Sequence, residues 1–233
     1  MKLIGLIGGM SWESSIEYYR ILNETVREKL GGLHSARCLL YSLDFEEIEQ
    51  LQQQGRWDTA AEFLVEAAKV LELGGADCIV ICTNTMHIVA DEVQHSIKIP
   101  LLHIADATAE RVLTDGYKRV GLLGTRYTME KEFYRDRLAD KFALEVLVPP
   151  EDERGYIDGV IFNELVLGEL LDSSRSEFLE IIAGLVERGA QGIILGCTEI
   201  GLLVSQDDVA VPVYDTALIH AEAAVEFALS KPD

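Results

Sequence analysis

Positive charge is scarce in this sequence of 233 residues, which carries 20 lysines and arginines against 40 aspartates and glutamates. The resulting formal charge of −20 repels phosphate backbones and anionic lipid surfaces, so we expect neither a nucleic acid nor a membrane as partner. A small anionic ligand would meet the same field. Its binding would need local donors, such as helix N-termini or a placed arginine.

Cysteine and long apolar runs are also scarce. The four cysteines (Cys38, Cys78, Cys82, Cys197) show neither a C-x-x-C pair nor a metal-binding histidine spacing, which argues against a zinc site and a disulfide framework. No apolar stretch reaches membrane-spanning length, and the short run at the start is interrupted by Glu13 and is typical of a strand rather than a signal peptide. We therefore expect a cytoplasmic protein with free thiols.

Short apolar runs alternate with segments of helical spacing, a pattern typical of parallel strands joined by crossover helices. The predicted elements of the first half are a strand at 2–8, a helix with apolar positions from Ile16 to Leu30, a strand at 36–45, a helix from Trp57 that stops at Gly74, and a strand at 77–82. The acidic run DFEEIEQLQQQ between them is interpreted as a solvated helix or loop.

The second half repeats this plan in the same order. KRVGLLGT matches KLIGLIGG, GAQGIILGCTE matches GADCIVICTNT, and VPVYDT matches IPLLHIAD, at offsets of 116, 114 and 112 residues. We therefore expect an α/β fold of two pseudo-symmetric parallel-sheet lobes with the active-site cleft between them. The predicted first lobe is residues 1–98 plus 211–233, whose C-terminal helix packs back on it, and the second is residues 99–210.

The repeat places Thr83 and Cys197 at equivalent positions, each just after a strand. Ligands bind beyond the carboxyl ends of parallel strands, so these side chains are expected to face each other across the cleft. Two groups on opposite faces of one carbon can remove a proton from one side and return it from the other, which inverts the centre. Cysteine suits this work because its unperturbed pKa of about 8.5 lies close to neutrality.

The motifs CTNTMH (82–87) and GCTEIGLL (196–203) resemble those of the cofactor-independent aspartate/glutamate racemases, and the resemblance covers essentially the whole chain. Together with GGMSWESS and GTRYTM, they are most similar to the L-aspartate/glutamate-specific subgroup, in which a threonine at position 83 is usual. The resemblance implies a two-lobed homodimer that racemises an amino acid without pyridoxal phosphate or a metal, with Cys197 and Thr83 as the acid/base pair.

Thr83 departs from the cysteine that members of the wider family carry at this place. A hydroxyl is a far weaker acid than a thiol, so we expect an asymmetric enzyme. In this interpretation Cys197 abstracts readily from one enantiomer, while Thr83, directly or through a water, serves the other face poorly. The alternative is that Thr83 only hydrogen-bonds the substrate and the protein is not a full racemase.

The remaining candidate site residues are substrate-binding. They are Met10, Ser11, Gln52, Asn84, Thr85, Thr125, Arg126, Tyr127, Thr198 and Glu199. Many relatives carry basic residues near the equivalents of Gln52 and Val166, where they would meet a distal carboxylate of the substrate. Neither residue is basic here, so the identity of the substrate is less well defined than the type of reaction. His87 is interpreted as a helical residue that satisfies a nearby carbonyl, and Ser11 is equally explained as a helix N-cap.

Two other function classes stay open. A cysteine-dependent isomerase or decarboxylase of a small dicarboxylic acid would use the same two-lobed arrangement, and carbon dioxide release from a malonate-type acid would identify it. A non-catalytic amino-acid-binding module is the other alternative. Cys197 argues against that module, and proton exchange at the ligand's α-carbon would exclude it.

Overall fold

The computed structural model describes residues 1–231 and divides into two compact units. The first unit comprises residues 1–104 together with the chain from His220 onward, and the second comprises residues 105–219. The sequence analysis placed these exchanges after residues 98 and 210. In the structure the chain leaves the first unit after Ile104 and returns after Ile219, at the first residue of one helix and within another.

Strands and helices alternate in the first unit. In chain order they are β1 (Ile4–Gly8), α1 (Trp12–Leu30), β2 (Cys38–Ser42), α2 (Phe45–Gln53), α3 (Trp57–Leu73), β3 (Cys78–Ile81), a 3₁₀ turn (Thr85–Val89), α4 (Ala90–Ser96) and β4 (Leu101–Leu102). The four strands form one parallel sheet in the order β2-β1-β3-β4. All residues of β1 and β3 are buried, as expected for central strands covered on both faces.

The second unit has a sheet of the same plan. Its elements are α5 (Ile104–Thr114), β5 (Arg119–Gly124), α6 (Arg126–Glu130), α7 (Glu132–Asp136), a π-helical turn (Arg137–Lys141), β6 (Glu145–Leu147), α8 (Glu151–Asn163), a 3₁₀ turn (Leu165–Leu167), α9 (Asp172–Glu187), β7 (Ile193–Gly196), α10 (Ile200–Leu203), a 3₁₀ turn (Gln206–Asp208) and β8 (Val213–Asp215). The sheet is parallel in the order β6-β5-β7-β8, and α11 (Thr216–Leu229) carries the chain back to the first unit.

The strand registers confirm the internal repeat residue by residue. The corresponding register pairs are Ile7–Ile81 with Leu123–Leu195, and Ile79–Leu101 with Ile193–Val213. These pairs reproduce the three offsets found in the sequence: 123 − 7 is 116, 195 − 81 is 114, and 213 − 101 is 112. The predicted α/β class with two parallel sheets is confirmed.

The helix predicted after the first strand is confirmed as α1, but its buried face differs from the apolar spacing in the sequence. Ser11 is its N-cap, accepting from the Ser14 N–H, and the helix ends at Gly31, whose φ of 72° suits glycine. Ile16 and Tyr19 are 52% and 57% exposed, whereas Tyr18 is fully buried. Apolar side chains lie on both faces of α1, so their spacing alone did not select the face that packs.

The acidic run predicted to be solvated forms α2, and one side of this helix is buried. Ile48, Leu51 and Gln52 are its buried residues, while its glutamates lie on the other side. The helix begins at Asp44, whose side chain accepts from the Glu46 N–H. The prediction was therefore wrong for the inner face of α2, which brings Gln52 into the interior of the first unit.

Candidate active site

In the first unit, candidate residues lie at the carboxyl edge of the sheet, after β1 and β3. β1 and β3 are adjacent and parallel, so the segments that follow Gly8 and Ile81 both emerge at the carboxyl edge. Thr83 lies two residues beyond β3 and is half-buried. Cys82, its neighbour, is only 1% exposed, and burial raises the pKa of its thiol, which leaves it protonated at neutral pH.

The residues after Thr83 are closely packed. Asn84 and Thr85 are 2% and 6% exposed, and the 3₁₀ turn begins at Thr85. The Gln52 amide of α2 donates to the Met86 sulfur at 3.2 Å, so α2 is linked to this segment. The structure thus brings Gln52 next to the predicted CTNTMH motif.

Met10 and Ser11 follow β1 and both have structural contacts. Met10 is 4% exposed and packs in the hydrophobic core of the unit. Ser11 caps α1, as the sequence analysis allowed, and its carbonyl accepts from the Ser15 hydroxyl at 3.1 Å. The turn between them and β1 depends on Gly9, because a Cβ there would lie 2.1 Å from the Leu43 carbonyl oxygen.

His87 forms hydrogen bonds that hold the Thr83 segment in place. Its Nδ1 lies 2.8 Å from the Thr83 carbonyl oxygen, and its Nε2 accepts from the Ile104 N–H at 3.2 Å. The interpretation of His87 as a residue that satisfies a nearby carbonyl is confirmed, and the carbonyl belongs to the candidate catalytic residue itself.

The second unit repeats this edge with Cys197. β5 and β7 are adjacent and parallel, and Cys197 follows directly after Gly196. The two strands approach closely here, since a Cβ on Gly196 would lie 2.8 Å from the Leu123 carbonyl oxygen. Ile81 pairs with Ile7 in the first sheet, and Leu195 pairs with Leu123 in the second. Thr83 lies two residues after Ile81, and Cys197 lies two residues after Leu195, so they occupy equivalent positions in the two sheets.

Cys197 is 8% exposed and lies against a carboxylate. Its Sγ donates to Glu199 Oε2 at 3.0 Å, and the Thr198 hydroxyl donates to the same oxygen at 2.6 Å. Burial raises the pKa of the Cys197 thiol well above its ordinary value, and the negative charge of Glu199 raises it further. The sequence analysis predicted Glu199 as a substrate-binding residue. In the structure Glu199 also accepts a hydrogen bond from the Cys197 thiol.

The residues after β5 form a short helix, α6. The Thr125 hydroxyl caps α6 by accepting from the Thr128 N–H at 3.3 Å. The exposed Arg126 guanidinium contacts Glu130 at 3.3 Å, and its backbone N–H donates to Asp158 Oδ1 at 2.8 Å. Asp158 was not among the sequence candidates, and no local pattern marks it, because it lies on α8. Tyr127 is half-buried beside these residues.

Residues 1–231 contain neither a membrane-spanning helix nor a metal-binding group of side chains. No helix in this range combines the length and apolar character needed to cross a membrane. Within the same range, no three or more His, Cys, Asp or Glu side chains are grouped so that they could hold a metal ion.

The model of the Asp/Glu/Hydantoin racemase family matches residues 7–224, which include both strand edges described above. The chain belongs to this family. A solved structure of a candidate Asp/Glu racemase from Yersinia pestis is 54% identical, with a TM-score of 0.93, over 99% of this chain and 100% of that chain. An aspartate racemase homologue from Pyrococcus horikoshii OT3 is 38% identical, with a TM-score of 0.86, over 99% and 100% of the two chains.

Other relatives have lower sequence identity to this chain. The glutamate racemase of Persephonella marina is 30% identical over 75% of this chain and 68% of its own length. Arylmalonate decarboxylase shares the fold at 14% identity, with a TM-score of 0.58 over 99% of this chain and 95% of its own. The fold therefore occurs with a decarboxylase as well, so the fold alone does not define the reaction.

Proposed function

We propose that this member of the racemase family is a cofactor-independent amino-acid racemase acting on aspartate or glutamate. The observation that carries the proposal is the matched placement of Thr83 and Cys197, each two residues beyond paired positions of its sheet, with Glu199 as hydrogen-bond partner of the thiol. Cys197 and Thr83 serve opposite faces of the substrate α-carbon in this proposal.

Cys197 needs a base to take its proton before it can act, because the pKa of its thiol is raised. Glu199 accepts the thiol proton along the existing 3.0 Å hydrogen bond, and the thiolate then removes the α-proton. The Cα–H bond breaks, the S–H bond forms, and the electron pair is delocalised into the substrate carboxylate. The proton on Glu199 passes to solvent. Glu199 thus acts as proton acceptor for Cys197 as well as lying among the candidate substrate-binding residues.

Thr83 completes the inversion from the other face. Its O–H bond breaks as the new Cα–H bond forms, and a water returns a proton to the hydroxyl oxygen. In the reverse direction the hydroxyl must act as base, directly or through a water, and the alkoxide it would form is costly. The two enantiomers are therefore processed with different ease at the proton-transfer step.

The proposed substrate contacts come from buried polar side chains at the two strand edges. Asn84 and Thr85 are 2% and 6% exposed and supply donors for a carboxylate in a strongly acidic protein. Thr198 is 9% exposed and is proposed to line the substrate beside them, while its hydroxyl donates to Glu199. The other residues proposed to line the substrate are Met10, Ser11, Gln52, Thr125, Arg126 and Tyr127.

A homodimer in the cytoplasm is part of the proposal. The family resemblance supports the dimer, and the four free cysteines fit a reducing compartment. Light scattering on the purified protein checks the assembly state.

Proton NMR in deuterium oxide tests the activity, with L- and D-aspartate and L- and D-glutamate as separate substrates and no cofactor added. We expect loss of the α-proton signal from one enantiomer faster than from the other. Cys197→Ala should abolish the faster exchange, whereas Cys38→Ala, which changes a half-buried cysteine on β2, should leave it unchanged.

Other outcomes separate the alternatives. Absence of exchange with all four amino acids contradicts the aspartate/glutamate assignment. Binding of one of them without exchange supports the binding module, and carbon dioxide release from a malonate-type acid supports the decarboxylase.

A further inference from the structure

The carbonyl groups of Thr83 and Cys197 occupy equivalent positions but have different hydrogen-bond donors. The Cys197 carbonyl accepts from the backbone N–H of Ile200 at 3.1 Å, within its own turn. The Thr83 carbonyl lies 2.8 Å from the imidazole Nδ1 of His87. A side chain therefore takes part in holding the threonine segment where the cysteine segment uses the backbone.

Both ring nitrogens of His87 are engaged, which defines its tautomer. A carbonyl oxygen can only accept, so Nδ1 carries the proton that it donates to Thr83. A backbone N–H can only donate, so Nε2 is unprotonated where it accepts from Ile104 at 3.2 Å. Ile104 is the first residue of α5, and the neutral imidazole thus links the Thr83 segment to the start of that helix.

Packing holds the His87 ring in this orientation. The side chain is 2% exposed, and its ring centroid lies 4.5 Å from that of His103 and 5.7 Å from that of His220. A rotamer change would break two hydrogen bonds inside the core, where unsatisfied polar groups are costly.

The second unit has no room for this side chain. Gly201 stands at the position equivalent to His87 by the offset of 114 residues, and a Cβ there would lie 2.6 Å from Asp215 Oδ2. The other carboxylate oxygen of Asp215 accepts from the Ala217 and Leu218 N–H groups at 2.9 and 3.1 Å, at the start of α11. An aspartate thus holds the start of α11, whereas His87 contacts the start of α5 and the catalytic segment together.

We infer that His87 is a positioning residue that fixes the backbone of Thr83 for proton transfer, and that it serves the Thr83 face of the substrate only. This inference rests on the proposed function. A hydroxyl that is a poor acid and base depends on alignment with the α-carbon, and small misplacements of a reacting group are expensive. Cys197 has its own partner in Glu199 and no counterpart of His87 at the equivalent position.

Two substitutions separate the two hydrogen bonds of His87. His87→Asn places an amide near Nδ1 and can still donate to Thr83, whereas His87→Gln places its amide near Nε2 and loses that donor. Racemisation rates cannot distinguish the faces, because an equilibrium constant of one makes kcat/KM fall equally in both directions. Exchange of the α-proton with deuterium oxide, measured separately for each enantiomer, reports each face.

We expect His87→Gln to slow exchange of the Thr83-dependent enantiomer by about tenfold or more, while the Cys197-dependent enantiomer changes by less than about twofold. His87→Asn should retain most of the Thr83-dependent rate. The matched control is His95→Gln, since the Nδ1 of the exposed His95 on α4 lies 2.6 Å from the carbonyl oxygen of Asp91, also four residues earlier. It should change neither rate.

Equal slowing on both faces, or no slowing of the Thr83-dependent face in a folded His87→Gln protein, would overturn the inference. Where wild-type exchange at the Thr83 face is too slow to measure, the same series in a Thr83→Cys background restores the signal. If His87→Gln does not fold, His87→Asn decides: selective slowing of the Cys197 face contradicts the inference. Absence of any wild-type exchange contradicts the proposed function instead, so the two failures are distinguishable.

Discussion

The Cys197 thiol donates a hydrogen bond to the Glu199 carboxylate at 3.0 Å, and both side chains are buried. The pairing stabilises the thiol over the thiolate, because burial and the adjacent negative charge both raise the pKa of the sulfur. In the proposed reaction it also provides a route for the thiol proton to leave. The same contact therefore raises the pKa of the thiol and, in the proposed reaction, supplies the base.

Replacing Glu199 with glutamine separates these two effects. Glu199→Gln removes the negative charge and should lower the pKa of the Cys197 thiol, seen as alkylation of its peptide at lower pH by mass spectrometry. Loss of the proton acceptor should nonetheless slow Cys197-dependent exchange at neutral pH by about 100-fold. Glu199→Asp is the control that keeps the charge. An unchanged thiol pKa in Glu199→Gln would contradict the role assigned to the carboxylate.

Thr83→Cys should make the enzyme more symmetric. A thiol ionises far more readily than a hydroxyl, so exchange of the slower enantiomer should rise by about tenfold or more. Thr83→Ser keeps a hydroxyl at the half-buried position and should keep the asymmetry. The measurement is α-proton exchange for each enantiomer. Equal behaviour of the cysteine and serine variants would show that residue 83 does not transfer the proton.

The correspondence between the strands of the two sheets could be predicted from the sequence because the chain contains the sheet pattern twice. Gly-Ala precedes β3 and β7 in the same register, and each copy constrains the position of the other. The apolar spacing was less informative for α1, because Ile16 is exposed whereas Tyr18 is buried. Which of two apolar faces packs is decided by neighbouring elements and not by the helix itself.

The contacts of the candidate site were harder to predict than its residues. Thr83 and Cys197 are identified by the repeat, but the bond from Cys197 to Glu199 depends on how the turn after β7 folds. Asp158 accepts from the Arg126 backbone although 32 residues separate them. The contact of Asp158 depends on tertiary packing, which leaves no short-range spacing in the chain.

Gly196 is expected to be required for both stability and the placement of Cys197. A Cβ in Gly196→Ala would lie 2.8 Å from the Leu123 carbonyl oxygen, so β5 and β7 must move apart. We expect a loss of about 1–3 kcal/mol in the free energy of unfolding, measured with urea, together with slower Cys197-dependent exchange. The control is Gly155→Ala in α8, where a Cβ meets no atom within 4 Å. It should stabilise by about 0.5–1 kcal/mol, and equal effects at the two sites would contradict the close approach of the strands.

His220 should make the protein less stable in acid. Its buried ring lies 2.9 Å from the Tyr18 hydroxyl and 2.8 Å from the Leu102 carbonyl oxygen, beside His87, and burial lowers its pKa from 6.5 to about 4. In the unfolded chain it binds a proton near pH 6.5, and in the folded chain only near pH 4. The contribution of the neutral His220 to the free energy of unfolding is therefore present above pH 6.5 and is lost as the pH falls towards 4.

The size of this effect can be measured against a variant that does not titrate. Between pH 7 and pH 4, the wild type should lose about 3 kcal/mol more of its free energy of unfolding than His220→Gln, because the difference between the two pKa values is converted into stability. Urea denaturation at several pH values gives the two slopes. His34→Gln removes an exposed histidine and should keep the wild-type slope. A His220→Gln protein with that same slope would show that His220 is protonated equally in the folded and unfolded chains.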